Sequence, residues 1–433
     1  MSQNIDNTTY YYSNGKRIPL VRDPEAYAIR FRGGEKSDSA DLSTHARTLL
    51  RNASEHLAFV PNHNLQVYRL VQPNLEVSAD TSLPATAGAG RQLFDRLVAE
   101  EPSIEFAAPV YRRGGSGDMM LVTRRFVAQF KPDVTRAQID ELNARYGVRI
   151  LEPLGLAENG YLLQAPEADG PLGPVALGNV YYESGLTEFA HADLITKRYF
   201  RTTVATVDAV ADEVSSRLTT ARTERNVYQP QQWHLASANV IDAWTITRGR
   251  SDIKICILDD GVDVAHPEFS GKVVSQFDFL TNTADGRPKD RRDNHGTACA
   301  GVATASGVKA LGAAPGCSLI AGVTPAWGST SDEARMFRWA ADQGADVISC
   351  SWGPQDGTGL VDPLPDLTRA AIRYCVTQGR GGKGCTVLFA AGNGNDRWCV
   401  AARPVIALQQ TGRVVAHVRA LPRDRLRRAR MAG

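Results

Sequence analysis

Three short segments carry residue types that can do chemistry together. The first is Asp259-Asp260-Gly261, which ends the apolar run IKICIL. The second is DNHGTACAG at 293–301, which holds His295. The third is AAGNG at 390–394, which holds Asn393. Carboxylates and an imidazole can carry protons, and a side-chain amide can donate a hydrogen bond. Each segment alone also has a plainer reading. Asp-Asp-Gly is often only a turn. His295 could cap a helix or sit in a core, and Asn393 between glycines could serve a left-handed turn.

Positioning such groups needs a scaffold, and the sequence describes one. From about residue 229, apolar runs such as IKICILDDG (253–261), VISCSWG (347–353) and CTVLFAAGNG (385–394) stand out, the last two each preceded by a helix-like stretch. Apolar strands alternating with helices predict a parallel α/β sheet. Loops at the carboxyl ends of such strands form the site, and all three segments fall at those ends.

In this order and spacing the segments resemble the subtilisin-like serine proteases. The resemblance covers roughly 230–394, and HGTACAG is its most specific piece, with ILDDGVDVAHPEF and SCSWGP agreeing independently. It implies that His295 is the general base and that Asp259 is the carboxylate fixing its tautomer. A serine hydroxyl is a weak nucleophile until such a base takes its proton. Asn393 matches the family's side-chain donor to the oxyanion. Ser351, Trp352 and Gly353 match the segment that pairs with substrate backbone as an added strand.

Two details lean toward the kexin and furin branch. Asp260 doubles the catalytic aspartate, where that branch has a residue facing a basic side chain of the substrate. Asp356, in SWGPQDG, matches an acid lining the pocket for a basic residue. Carboxylates there would favour Arg or Lys by charge-assisted pairing; alternatively both are solvated loop acids. The family also binds calcium, and Glu268 stands where one ligand often lies.

The first 200 residues show a different texture. RRFVAQFK (124–131) predicts a strand, and Thr135 an N-cap for a helix through Ile139, Leu142 and Tyr146 that Gly147 can end. VRILEPL and GYLLQAP follow as strands, 171–183 as a helix and LTEFAHADL as a last strand. The order β-α-β-β-α-β is the ferredoxin-like motif. Residues 26–111 repeat it: AYAIRFR, LSTHARTLL, LQVYRLVQP, RQLFDRLVAEE and SIEFAAPVY match in turn, with Glu-Phe-Ala shared at 105–107 and 188–190. Two tandem copies of one module are expected. The resemblance implies prodomain-type modules that assist folding and inhibit the enzyme, with a permanent binding module as the alternative.

Bulk properties exclude several classes. A net charge of +2 gives no push toward nucleic acid or membrane. No run is long and apolar enough for a transmembrane helix. The opening MSQNIDNTTYYYSNGKRIPL lacks the pattern of a secretory signal, although the family is often secreted, so localisation is left open. All seven cysteines lie between Cys256 and Cys399, without a Cys-x-x-Cys pair, so the spacings fit no zinc pattern. Reduced, structural thiols are expected, with Cys256 and Cys350 in apolar strand-like runs.

One expected part is missing. The family's serine lies in a Gly-Thr-Ser-x-Ala motif, and none follows Asn393; serine is absent throughout 352–433. After about Asp396 the sequence becomes rich in arginine, with no lysine and one acid. A frameshift or truncation is the expected cause, and a basic tail for an acidic partner or nucleic acid is the alternative. The expected layout is a first module at 1–115, a second at 120–200, a linker at 201–228, a partial peptidase domain at 229–396 and an aberrant tail at 397–433. The fold class is an incomplete α/β parallel-sheet subtilisin-like catalytic domain preceded by two α+β ferredoxin-like prodomain-type modules. The expected function is serine-type endopeptidase ancestry acting on polypeptides, with this chain inactive for want of the serine. Its expected partners are a peptide substrate and an intramolecular prodomain, without nucleic acid or membrane. The competing reading is a non-catalytic peptide binder or prodomain-type inhibitor.

Overall fold

The computed structural model describes residues 9–32, 42–71, 85–113, 118–200, 232–355, 364–390 and 416–418. The expected linker at 201–228 and most of the tail lie outside them. The chain divides into two compact units. The first holds residues up to 197, with 327–333 and 364–368; the second holds the remainder from Arg198.

Within the first unit, two regions share one element order. The later region runs β7 (Arg125–Phe130), α3 (Arg136–Tyr146), β8 (Arg149–Pro153), β9 (Gly160–Gln164), α4 (Pro174–Glu183) and β10 (Thr187–Ala192). Its antiparallel sheet has the order β10-β7-β9-β8. Local chemistry sets the boundaries of α3. Thr135 and Gln138 form a reciprocal capping box, and Gly147 at φ +65° takes the left-handed C-cap. Helix α4 begins at Pro174, after the N-cap Gly173, and so starts later than the sequence suggested. Phe126, Phe130, Ile139, Leu163, Leu177 and Tyr181 close the core. Gly178 lets α4 approach β10, because a Cβ there would lie 2.9 Å from His191 Cα.

The earlier region runs β2 (Lys16–Phe31), α1 (Thr44–Ala53), β3 (Ser54–Val60), β4 (Leu65–Leu70), α2 (Ala85–Glu100) and β5 (Ile104–Arg113). Its strands follow β5-β2-β4-β3, the counterpart of the later order, again antiparallel. Tyr27, Ile29, Phe31, Leu50, Phe94 and Leu97 form its core. Sequence patterning did not assign β3, which is mostly half-exposed and lacks an alternating pattern. The sheet also grows outward. An Asn14-Gly15 turn, with both residues at positive φ, joins β1 (Thr9–Ser13) to β2. On the far side β6 (Met119–Leu121), β11 (Ile195–Lys197) and β16 (Trp327–Ser329) continue it beyond β5.

The second unit is built on a sheet of parallel strands: β13 (Lys254–Asp259), β14 (Val273–Asp278), β15 (Ser318–Val323), β17 (Val347–Cys350), β19 (Thr386–Ala390) and β20 (Ala416–Val418). Their order is β14-β15-β13-β17-β19-β20, parallel throughout. The run SLIAGV of β15 is buried at every position, as a strand covered on both faces must be. Helices α5 (His295–Thr304), α6 (Thr330–Asp342) and α7 (Asp366–Gln378) connect the strands. A two-stranded ladder pairs β12 (Tyr199–Phe200) with β18 (Trp352–Gly353). Strands 14 and 15 lie on one side of β13, strands 17 and 19 on the other. The order therefore reverses at β13, and the crevice outside its carboxyl end is where such sheets bind ligands.

Candidate active site

Asp259 is the last residue of β13 and is fully buried at that switch point. His295 is the first residue of α5. The imidazole Nδ1 lies 2.7 Å from Asp259 Oδ1, which also accepts the backbone N–H of Asp260 at 2.9 Å. Asp259 Oδ2 is buried without a hydrogen-bond partner. Burial by itself would lower the imidazole's affinity for its proton. The Asp259 hydrogen bond, followed by contact with Cys299, outweighs it and pushes His295 up to about 10. Nδ1 is thereby committed to the carboxylate.

Gly296 makes the approach possible. A Cβ there would stand 2.3 Å from Gly261 O and 2.8 Å from Asp259 Cβ, so a side chain would drive α5 off the end of β13. Thr297 Oγ1 accepts the Asp263 N–H at 2.9 Å and ties the turn after β13 to the same helix. The His-Gly-Thr triplet is thus explained by fit as well as by chemistry.

Asp260 takes a different place from the substrate-facing acid of the sequence reading. Its carboxylate accepts the backbone N–H of His295 at 3.1 Å and of Gly296 at 2.6 Å, capping the N-terminus of α5. Burial raises its pKa to about 6, against the pull of those two donors. Glu268 departs similarly from the proposed calcium ligand. Its oxygens accept four backbone N–H groups, from Gly307, Val308, Lys309 and Ala310, and the Ser306 hydroxyl. Burial opposes ionisation, but these donors prevail and hold the carboxyl below its usual range. A cation there would face converging N–H dipoles, so the residues around Glu268 do not fit calcium.

The strand segment is described for Ser351, Trp352 and Gly353, while Asp356 and Asn393 lie outside the described residues. Trp352 is buried, and its indole N–H donates to Leu258 O at 2.8 Å, fixing β18 beside β13. The chain's own Tyr199–Phe200 pairs antiparallel with Trp352–Gly353. Arg198 N–H donates to Ala326 O at 2.7 Å, and its guanidinium lies 5.3 Å from the Trp352 ring centroid. The Phe200 ring is 6.2 Å from that of His295. A segment of this chain therefore lies along β18 up to the imidazole.

Residues 250–415 match the family model described as the subtilase family. This segment belongs to the subtilase family. The match extends past 396, where the sequence reading placed the end of the domain. A "Calcium-dependent protease" of Trichormus variabilis is 38% identical over 337 residues, covering 72% of this chain and 46% of that protein. Human furin is 36% identical over 195 residues, covering 40% of this chain and 24% of furin. Fervidolysin from Fervidobacterium pennivorans, a solved structure, aligns with TM-score 0.46 and 18% identity over 64% of this chain and 40% of its own. The chain spans about half the length of the curated calcium-dependent proteases it matches, 46% and 52%.

Sequence reasoning missed two parts of this subtilase site. Cys299 is four residues after His295, a spacing that puts both on one helical face. Arg198–Phe200 gave no signal, because a two-residue strand carries no periodicity.

Proposed function

We propose that the chain derives from a serine-type endopeptidase of the subtilisin and kexin kind and retains the base end of its charge relay. The observation that carries this reading is the buried Asp259–His295 hydrogen bond of 2.7 Å at the switch point of the parallel sheet. Asp259 fixes the ring through Nδ1, so that Nε2, once deprotonated, faces a nucleophile whose proton it can take and return to a leaving amine. Polypeptide substrate would add a strand to β18. Cleavage after basic residues would rest on Asp356, since Asp260 is engaged by α5. Calcium, which two relatives carry in their names, would be held elsewhere than at Glu268.

The sequence has no Gly-Thr-Ser-x-Ala motif after Asn393. This chain on its own should therefore lack the acyl-enzyme step. Incubation with a fluorophosphonate probe tests that: no covalent label is expected, and a labelled serine would refute it.

A second reading is favoured by the pairing of Tyr199–Phe200 with Trp352–Gly353. The two regions of identical strand order would be ferredoxin-like prodomain-type modules whose trailing segment occupies the peptide groove as an inhibitor. Residues 1–200 added to an active relative should then slow its peptide hydrolysis, and an unchanged rate would remove this reading.

A further inference from the structure

Two buried thiols of the second unit meet across one short loop. Helix α7 carries Cys375, and Cys385 stands immediately before β19. The backbone N–H of Cys385 donates to Cys375 O at 3.0 Å. A direct bond of that kind holds the two Cα atoms within about 6.8 Å, a span that a disulfide can bridge. The Cys385 thiol also donates to Cys375 O, at 3.1 Å, while the Cys375 thiol donates to Phe337 O at 3.2 Å. Gly379 leaves room for the sulfur, since a Cβ there would lie 2.6 Å from Cys375 O and 3.1 Å from Cys385 Sγ.

The pair is asymmetric. The thiols are within hydrogen-bond reach of each other, and that bond has opposite effects on the two. It raises Cys375, as burial also does. It lowers Cys385, against the pull of burial and with the nearby Arg380 guanidinium assisting. A thiol that ionises readily, beside one that stays protonated, divides the work of exchange: the first attacks and the second resolves. Cys256, on β13, is pushed up by burial and competes poorly as a thiolate. Access comes through the connecting loop. Residues 380–383 are exposed, and Arg380, Gly381, Gly382 and Gly384 all have positive φ. An exposed segment with so few packed side chains opens locally at low cost.

We infer that Cys375 and Cys385 form a redox-active dithiol that a small disulfide of the glutathione class converts to an intramolecular disulfide. The Cys385 thiolate attacks the small disulfide, expels one thiolate and is left as a mixed disulfide. Cys375 then gives its proton to solvent and displaces the second small thiolate. The small disulfide is reduced to two thiols, and the two cysteines lose two electrons and two protons between them. The new bond closes the loop and ties α7 to the start of β19. In sequence β19 leads toward Asn393, so a consequence for the oxyanion donor rests on the protease reading; the disulfide itself does not.

The test uses the full chain, reduced, freed of reductant and incubated with oxidised glutathione. Free thiols are then blocked with N-ethylmaleimide, and the chain is digested with trypsin without reduction. Trypsin cuts after Arg380 and Lys383, so the bond appears as two joined peptides that hold Cys375 and Cys385. This pair should exceed every other cysteine pair by at least about 10-fold. Oxidation should also slow hydrogen exchange across 369–390. In Cys375→Ala the glutathione should stay on Cys385, and in Cys385→Ala little should load onto Cys375. No joined peptide, a joined peptide that pairs Cys385 with Cys256 instead, unchanged exchange on oxidation, or equal loading of the two variants would each overturn the proposal. The joined peptide and the exchange on the unaltered chain decide the matter even if a variant fails to fold.

Discussion

Two regions of the molecule bring a histidine against an aspartate at nearly equal distance, in different surroundings. In the second unit, His295 Nδ1 meets Asp259 Oδ1 at 2.7 Å. In the first, His63 Nε2 meets Asp332 Oδ2 at 2.8 Å. Asp332 has further donors, because the Ser329 N–H reaches it at 2.9 Å and the Asn62 amide at 3.3 Å. Burial opposes its charge, but His63, Arg125 and the Ser329 N–H overcome that and hold the carboxyl well below its usual range. Asp259 accepts its two hydrogen bonds on one oxygen while the other has none, and the bond to His295 helps to push that imidazole up to about 10. A carboxylate satisfied from several sides makes a tie.

The largest expected effect breaks the tie. Asp332→Ala leaves His63, which is 4% exposed, without its partner and strips the Ser329 N–H. A loss on the order of 3 kcal/mol is expected, the cost of removing one member of a buried pair. Hydrogen exchange of peptides covering 55–70 and 327–333 measures it, and unchanged protection would end the distinction drawn above. Asp259→Asn keeps the shape and should change global stability far less.

Gly296→Ala should come next, at about 1–3 kcal/mol, because the new methyl group meets Gly261 O and Asp259 Cβ. Its signature is local. Denaturant melts followed by exchange should show α5 and the 259–263 turn loosened while the first unit is unmoved.

The pH dependence separates the pairs by sign. Asp332 has a lowered folded pKa, so its contribution is present above the ordinary value of 3.8 and is lost only as pH falls below that. His295 has a raised folded pKa. Its contribution is complete below 6.5 and is lost as pH rises from there through about 10. Histidine proton NMR should show His295 titrating far above neutrality, and Asp259→Asn should bring it down toward the ordinary range. A His295 that titrates near 6.5 in the unaltered chain would contradict the account of the site.

Much of this was legible in the sequence for specific reasons. Thr135, Gln138 and Gly147 announce α3, because capping is local chemistry. The apolar runs of β13, β17 and β19 announce a covered sheet, and Asp259 and His295 follow from their motifs. The His63–Asp332 tie was not legible, since its members are 269 residues apart and neither stands in a motif. Asp260 and Glu268 were assigned by position to substrate and calcium. Their surroundings are backbone N–H groups from 295–296 and 307–310, and no pattern of side chains encodes those. The strands β6, β11 and β12 are two or three residues long, too short to show alternation.

The smallest expected effect tests whether the peptide-pairing strand is held independently of the carboxylate–imidazole pair. Trp352→Phe keeps an aromatic ring against Phe389, whose centroid is 5.7 Å away, and removes only the indole N–H that reaches Leu258 O. A buried carbonyl loses one donor, so about 1 kcal/mol is expected. Leu258 immediately precedes Asp259 on β13. If β18 is fixed through that single bond, exchange at 352–353 should rise while the His295 titration stays where it was. A shift of the imidazole in Trp352→Phe would instead mean that the strand helps to set Asp259, and that the groove and the relay are one mechanical element.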